Sequence, residues 1–398
     1  MPSSSRRTFL LTTASVGIGS LAGCFSQSCS PDRTQHDSDI SLSDDVQWPT
    51  QYYDAANTSY NPSANGPTGD VQLAWRYTTC NPTEVSAAIS NGDAYFENQV
   101  INAQTGESTN EWGDTNSTPT LANGTAYVHS SNLEARDPTT GEIQWTYSIA
   151  NTSNTTSPTV HDGTVYVVEN SLFAVNSETG EERWTFGRPL DLQTPPAVRD
   201  QTVFLTTPDW MLYAVDTETG EERWNIQPEG GNGLAPPPAV ANDLVYIIAE
   251  WETGTIQAVN PSDGSVAWTA TTGMQIANKP AVTEASVFAV GNNDEGGAIV
   301  ALNAETGERQ WARTLGDESL VTVTASNETV YTGPEFANED IPVYALDRVT
   351  GEDRWQFEVR SRDFGDYSES TLTGITVVDD YVFAVTSGGE VHAIMGQS

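Results

Sequence analysis

One pattern, A-x-(D/N)-x-x-T-G-x-x-x-W, recurs about every 40 residues and constrains the fold more than any other feature of the chain. Its clearest copy is Ala214/Asp216/Thr219/Gly220/Trp224. Others are Ala135/Asp137/Thr140/Gly141/Trp145, Ala174/Asn176/Thr179/Gly180/Trp184, Ala258/Asn260/Asp263/Gly264/Trp268, Ala301/Asn303/Thr306/Gly307/Trp311 and Ala345/Asp347/Thr350/Gly351/Trp355. A degenerate copy, Val100/Asn102/Thr105/Gly106/Trp112, has two extra residues before its Trp. Each copy reads as a hairpin. An alternating strand such as Leu172-Phe-Ala-Val175 leads into it, Asx and Thr-Gly supply a turn that tolerates left-handed backbone, and the next strand carries the Trp. Further along come Ser157-Pro-Thr-Val160, the tight turn His161-Asp162-Gly163 and the strand Thr164-Val-Tyr-Val-Val168. Four short antiparallel strands per unit make one propeller blade.

The tryptophans count the blades: Trp75, Trp112, Trp145, Trp184, Trp224, Trp268, Trp311 and Trp355. Trp75 has no hairpin before it. The C-terminal stretch, through Thr373–Val377, Tyr381–Val385 and Glu390–Ile394, supplies three strands with no Trp strand after them. The halves complete one another. The sequence therefore predicts an all-β, eight-bladed propeller over residues 48–398, closed by strand 70–78 as the outer strand of the last blade. Closure removes the open edges that an unfinished ring would leave. All eight tryptophans are read as structural wedges.

Charge narrows the function. The 398 residues carry 16 Lys and Arg against 54 Asp and Glu, a net charge of −38. Such a surface repels phosphate backbones, so nucleic acid is not expected as a partner. Lys279 is the one lysine. The acids are scattered rather than grouped, which fits a protein adapted to strong salt. At about 1 M ionic strength the Debye length falls to roughly 3 Å and self-repulsion is screened. A cation-chelating surface is the alternative.

The N-terminus reads as an address. Ser5-Arg6-Arg7-Thr8-Phe9-Leu10 resembles a twin-arginine export signal, with Arg6 and Arg7 as its pair. Leu21-Ala22-Gly23-Cys24 resembles a lipobox, which implies cleavage after residue 23 and lipid on Cys24. Losing Arg6 and Arg7 with the leader deepens the charge from −38 to −40. Residues 24–47 are expected to form a flexible Ser- and Asp-rich tether. Cys29 and Cys80 are a possible disulfide, or two free thiols.

The Trp repeat resembles that of the PQQ-like β-propellers, the quinoprotein alcohol dehydrogenase-like superfamily. The opening Trp48-Pro-Thr-Gln-Tyr-Tyr-Asp-Ala-Ala-Asn57 is similar to the segment before the first blade in that family. The resemblance implies two functions. Its dehydrogenases hold PQQ on a Trp, often against a disulfide of adjacent cysteines. A calcium ion held by Glu, Asn and Asp acts as Lewis acid, and an Asp serves as base. This chain has neither adjacent cysteines nor a haem-attachment C-x-x-C-H motif. Its blades are nearly bare, with only 33–44 residues between successive tryptophans. It is closer to stand-alone lipoproteins made of such blades, such as the lipoprotein of the outer-membrane assembly machine, which works as a scaffold.

The expected function is therefore a non-catalytic binding scaffold, monomeric and held by lipid at the outer face of the cell membrane. Its partner would be an envelope protein or a glycan, and no cofactor or metal is expected. The alternatives are a PQQ- and calcium-dependent dehydrogenase and a carbohydrate or peptide receptor. No His metal spacing, G-x-S-x-G elbow or phosphate loop occurs. The loops between the second and third strands of each blade share a face with the blade-to-blade loops. They carry the aromatic candidates Trp210, Trp251 and Phe336, while a blade-to-blade loop carries Arg362. A quinone site would have to recruit Asp209, Glu252 or Asp294 from this face. Six N-x-S/T sequons, at Asn57, Asn116, Asn123, Asn151, Asn154 and Asn327, mark candidate glycans, not all of them used.

Overall fold

Backbone hydrogen bonds in the computed structural model sort the strands into eight sheets, each with four antiparallel blade strands. The structure describes residues 32–398 except 36–39, 44–46, 80–81, 114, 116, 150–154, 188–193, 229, 231–235, 277, 338–339, 361–370 and 398. Cys24, Arg6, Arg7, Cys29, Cys80 and Arg362 lie outside the described residues. In blade 3 the strands run outward as Thr159–His161, Thr164–Val168, Leu172–Asn176 and Glu182–Phe186. Seven blades are built from consecutive strands, and the eighth is completed as expected. Val71–Thr78 pairs antiparallel with Glu390–Gly396, with Trp75 opposite Ala393.

The motif explains itself chemically. In blade 4 the Asp216 carboxylate accepts the N–H groups of Glu218 and Thr219, both at 2.9 Å, and the Gly220 N–H closes the turn onto the Asp216 carbonyl. Gly220 has φ 71°, and a Cβ there would lie 2.6 Å from the ring of Trp184 in the preceding blade. Glycine is thus needed twice, for its conformation and for the indole that rests on it. The Trp184 Nε1–H donates to the Thr217 carbonyl at 2.9 Å in the same turn. Each turn is therefore the seat of the previous blade's Trp. Within the blade, Ala174 stands between Tyr166 and Trp184 in the strand registers. Its small side chain lets the two rings meet with centroids 5.9 Å apart.

The same ring pair occurs in every blade. In the split blade it joins Trp75 to Phe383 across the chain ends, at 5.7 Å. Trp75 then seats on blade 1, donating to the Ala103 carbonyl. Trp355 of blade 7 donates to the Pro67 carbonyl, so the segment just before the closing strand supplies the eighth seat. The degenerate copy differs. Trp112 falls beyond its strand, Ser108–Glu111, and still packs on Tyr95 and Gly141, but its buried Nε1 has no hydrogen-bond partner.

The tether reading needs correction. Asp32–Gln35 pairs antiparallel with Val71–Thr78 as a fifth, outermost strand of the last blade. Ile40 and Leu42 are buried, and the Ser43 N–H donates to Asp379. Two aliphatic residues and an edge strand that offers unpaired backbone groups are enough to hold this stretch down. Among the described residues there is no helix, and so none long and apolar enough to cross a membrane.

Candidate functional site

The inner edge of the ring is lined by the chain itself. Gln47–Trp48 pairs with the inner strand of blade 1. From there the carbonyls of Pro49, Ala55, Ala56, Thr58 and Ser59 accept N–H groups from Leu121, Val198, Val240, Val282 and Ala325, at 2.6–2.9 Å. These donors belong to the inner strands of blades 2, 4, 5, 6 and 7. The Asn61 amide reaches the Val377 carbonyl of blade 8 at 2.9 Å. One strap, residues 47–61, thus touches seven inner strands. Tyr53, Asn57 and Ser59 take positive φ, which lets successive carbonyls face different blades at a cost in backbone strain.

Lys279 bolts this strap. Its Nζ donates to the Asn57 carbonyl at 2.7 Å and the Pro280 carbonyl at 3.0 Å, and lies 4.5 Å from the Tyr52 ring centroid. Burial pushes the ammonium down from 10.5 to about 7, partly opposed by the charge of Asp54. Burial raises the Asp54 carboxyl in turn, against its bonds from Thr58. The sequence alone marked Lys279 only as the single lysine. Its isolation in an acid-rich chain was the available signal.

The predicted aromatic candidates differ in exposure. Trp210 was expected to be exposed and is 4 % exposed. It sits at φ 60° in the turn Thr207–Met211, its N–H on the Thr207 carbonyl, with its buried Nε1 unpartnered. The turn folds the indole inward, so Trp210 is corrected from a docking residue to a packed one. Trp251 is half-buried, and its carbonyl accepts the Ile276 N–H. Phe336 stands out at 45 % exposure. At the ends of the second strands of blades 2 and 3 lies a buried pair that sequence reading missed. His129 Nε2 is 3.8 Å from Glu169 Oε1, and its Nδ1 is 3.1 Å from the Thr156 carbonyl. Burial holds the imidazole down to about 4, so it is neutral near pH 7.

The family's cofactor finds little here to hold it. A quinone needs a planar platform, yet Trp210 is buried and the strap lines the inner strands. Asp209 is tied to the Thr207 hydroxyl, and Glu252 and Asp294 stand in solvent. Among the described residues no three His, Cys, Asp or Glu side chains converge as ligands for calcium. The buried Trp210 thus offers a quinone no open platform. On the other face, a cleft of about 500 Å³ opens beside the turns that carry Asp162, Asp200 and Asp243, with Arg199, Arg223 and Phe204 in its wall. Arg223 is already spent on Asp216 at 2.6 Å and on Thr202.

Comparison with known proteins agrees with this architecture. The family model described as outer membrane protein assembly factor BamB matches residues 129–247 and 226–398. The solved structure of BamB from Moraxella catarrhalis superposes with a TM-score of 0.64 at 17% identity, over 82% of this chain and 100% of that one. The quinohemoprotein alcohol dehydrogenase of Comamonas testosteroni gives a TM-score of 0.70 at 14% identity, over 88% and 81%. A computationally designed protein, Ika8, gives 0.62 at 14% identity, over 84% and 98%. No curated protein matches the sequence. At these identities the structural likeness speaks for the fold, whereas the family model spans more than half of the chain, which therefore belongs to the PQQ-like repeat family described as outer membrane protein assembly factor BamB.

Proposed function

We propose that this protein is an exported, lipid-anchored scaffold that holds an envelope partner on the face bearing Phe336 and Trp251, without chemistry of its own. The observation that carries this reading is the strapped axis. The inner strands, where a propeller would admit a small ligand, are hydrogen-bonded to residues 47–61. A bare ring is left with its loops for recognition, and an exposed aromatic loop side chain buries much area at little entropy cost. A family model described as an assembly factor supports a protein partner over a glycan. The lipid at Cys24 and the pair Arg6 and Arg7 supply anchor and route in this reading.

The test is in-cell cross-linking from a photoreactive residue placed at position 336, with Val349 on the opposite turns as control. One partner captured specifically from 336, and lost in Trp251→Ala, is the expected result. Equal capture from both positions would remove the assigned face. The structural likeness to a quinohemoprotein alcohol dehydrogenase favours a second reading, PQQ-dependent oxidation. Adding PQQ and calcium to the purified protein in molar salt decides it. Stoichiometric quinone binding with alcohol-dependent dye reduction would replace the scaffold reading.

A further inference from the structure

The three described sequons have very different surroundings. Asn57 is 2 % exposed, and its amide donates to the carbonyls of Pro195 and Pro238 at 3.2 and 3.3 Å. A sugar on that nitrogen would have to replace both bonds inside the ring. Asn327 is exposed, but its amide reaches Asn65, its N–H donates to the Ala64 carbonyl, and the sequon hydroxyl, on Thr329, is wholly buried. Asn123 is exposed at the tip of the turn between Thr120–Ala122 and Thr125–His129, with φ 52°. Gly124 follows it and a Cβ there would meet nothing within 4 Å, so the space beside the turn is open. Thr125 is only partly buried.

We propose that Asn123 is an N-glycosylation site filled after the propeller has folded, and that Asn57 and Asn327 stay bare. The donor is an oligosaccharide on a lipid phosphate or pyrophosphate. The Asn123 Nδ2 attacks the sugar C1, the N–C1 bond forms, and the C1–O bond to phosphate breaks. The lipid phosphate leaves and the amide gives up one proton. The transferring enzyme must read both the amide and the hydroxyl two residues on. In the folded chain only Asn123, of the three, offers its amide with a hydroxyl not wholly buried. Asn327 is the diagnostic position. Its side chain is exposed, so a glycan added to the unfolded chain would be tolerated there after folding. An empty Asn327 beside a filled Asn123 therefore reports that folding came first. This inference rests on the exported reading above.

The experiment is glycopeptide mass spectrometry on full-length protein from its native envelope, with protease shaving of intact cells in parallel. The expected result is a glycan mass on the Asn123 peptide alone among these three, lost in Asn123→Asp, which keeps a side chain suited to φ 52°, with the melting midpoint unchanged. A bare Asn123 overturns the inference. A glycan on Asn57 or Asn327 overturns the claim that folding precedes transfer. If the protein also resists shaving until cells are lysed, the exported reading falls with it. Shaving of a protein with a bare Asn123 leaves that reading standing and removes the glycan alone.

Discussion

Replacing Lys279 by Met tests the axial strap where its energetics are most legible. The ammonium is pushed from 10.5 to about 7 by burial. At 1.36 kcal/mol per pKa unit, the fully developed effect is about 5 kcal/mol. The sign is set by proton linkage. Between pH 7 and 10.5 the unfolded chain keeps the lysine proton and the folded chain has released it, so stability rises with pH across that window. It rises by at most about 1.4 kcal/mol per pH unit. Below pH 7 both states are protonated and the whole penalty falls on the fold. A neutral amine has two N–H groups, enough for the carbonyls of Asn57 and Pro280. Because this chain has one lysine, the other side chains that titrate between pH 7.5 and 9.5 are its three cysteines, which Lys279→Met carries equally, while its tyrosines titrate higher. Urea unfolding at fixed molar KCl should show the native protein gaining about 2–3 kcal/mol over those two pH units. Lys279→Met should show a flat profile, and Asp54→Asn with Lys279→Met should show it without a stranded carboxylate. Parallel profiles in native and variant proteins would refute the argument.

Trp224→Ala removes an indole seated on the next blade's turn through the Pro261 carbonyl and should cost about 3–5 kcal/mol in chemical denaturation. A cost below about 1 kcal/mol would deny the seat its role. Acid should destabilise the fold from pH 6.5 downward. His129 and His392 are pushed down to about 4 and about 3 by burial, penalties near 3 and 5 kcal/mol that develop as the unfolded chain takes up protons. A midpoint constant from pH 6.5 to 4.5 would contradict that burial. Deleting residues 71–78 should lower the melting midpoint far more than deleting 32–35, since the former carries Trp75 and the latter only adds an outer strand. Equal losses would break the split-blade closure. Raising KCl from about 0.1 to about 2 M should raise the melting midpoint steeply, because the −38 charge is then screened. A flat response would return weight to a chelating surface.

The repeat was legible because its chemistry is local. Asp216, Thr219, Gly220 and Trp224 act within one turn or on its immediate neighbour, so spacing alone carries the information. Closure was legible for the same reason, since Trp75 lacked the hairpin that every other Trp strand has. The two extra residues before Trp112 signalled the one seat without an indole hydrogen bond. The strap was not legible. It binds through carbonyls of Pro49, Ala55, Ala56, Thr58 and Ser59, which any residue possesses, with side chains such as Asn57, Asn61 and Tyr52 joining in. Trp210 misled because loop aromatics were taken as exposed, whereas one residue at positive φ turned the ring inward. The docking of Ile40 and Leu42 was masked by the polar residues around them.

The strap also sets a timetable. Asn61 bonds to Val377, 316 residues away, and Trp75 finds its strand partner only in the last residues of the chain. A nascent chain can assemble blades one after another, since each is a local meander of low contact order. It cannot close the ring, or bond Asn61 to Val377, until blade 8 has been made. The ring-closing step is slow, because loop-closure entropy precedes these distant contacts. Until then two blade edges stay open, the state in which chains of this size aggregate. Loss of the strand Glu390–Gly396 should therefore leave not a smaller propeller but an open arc, with its strap still held by the earlier blades.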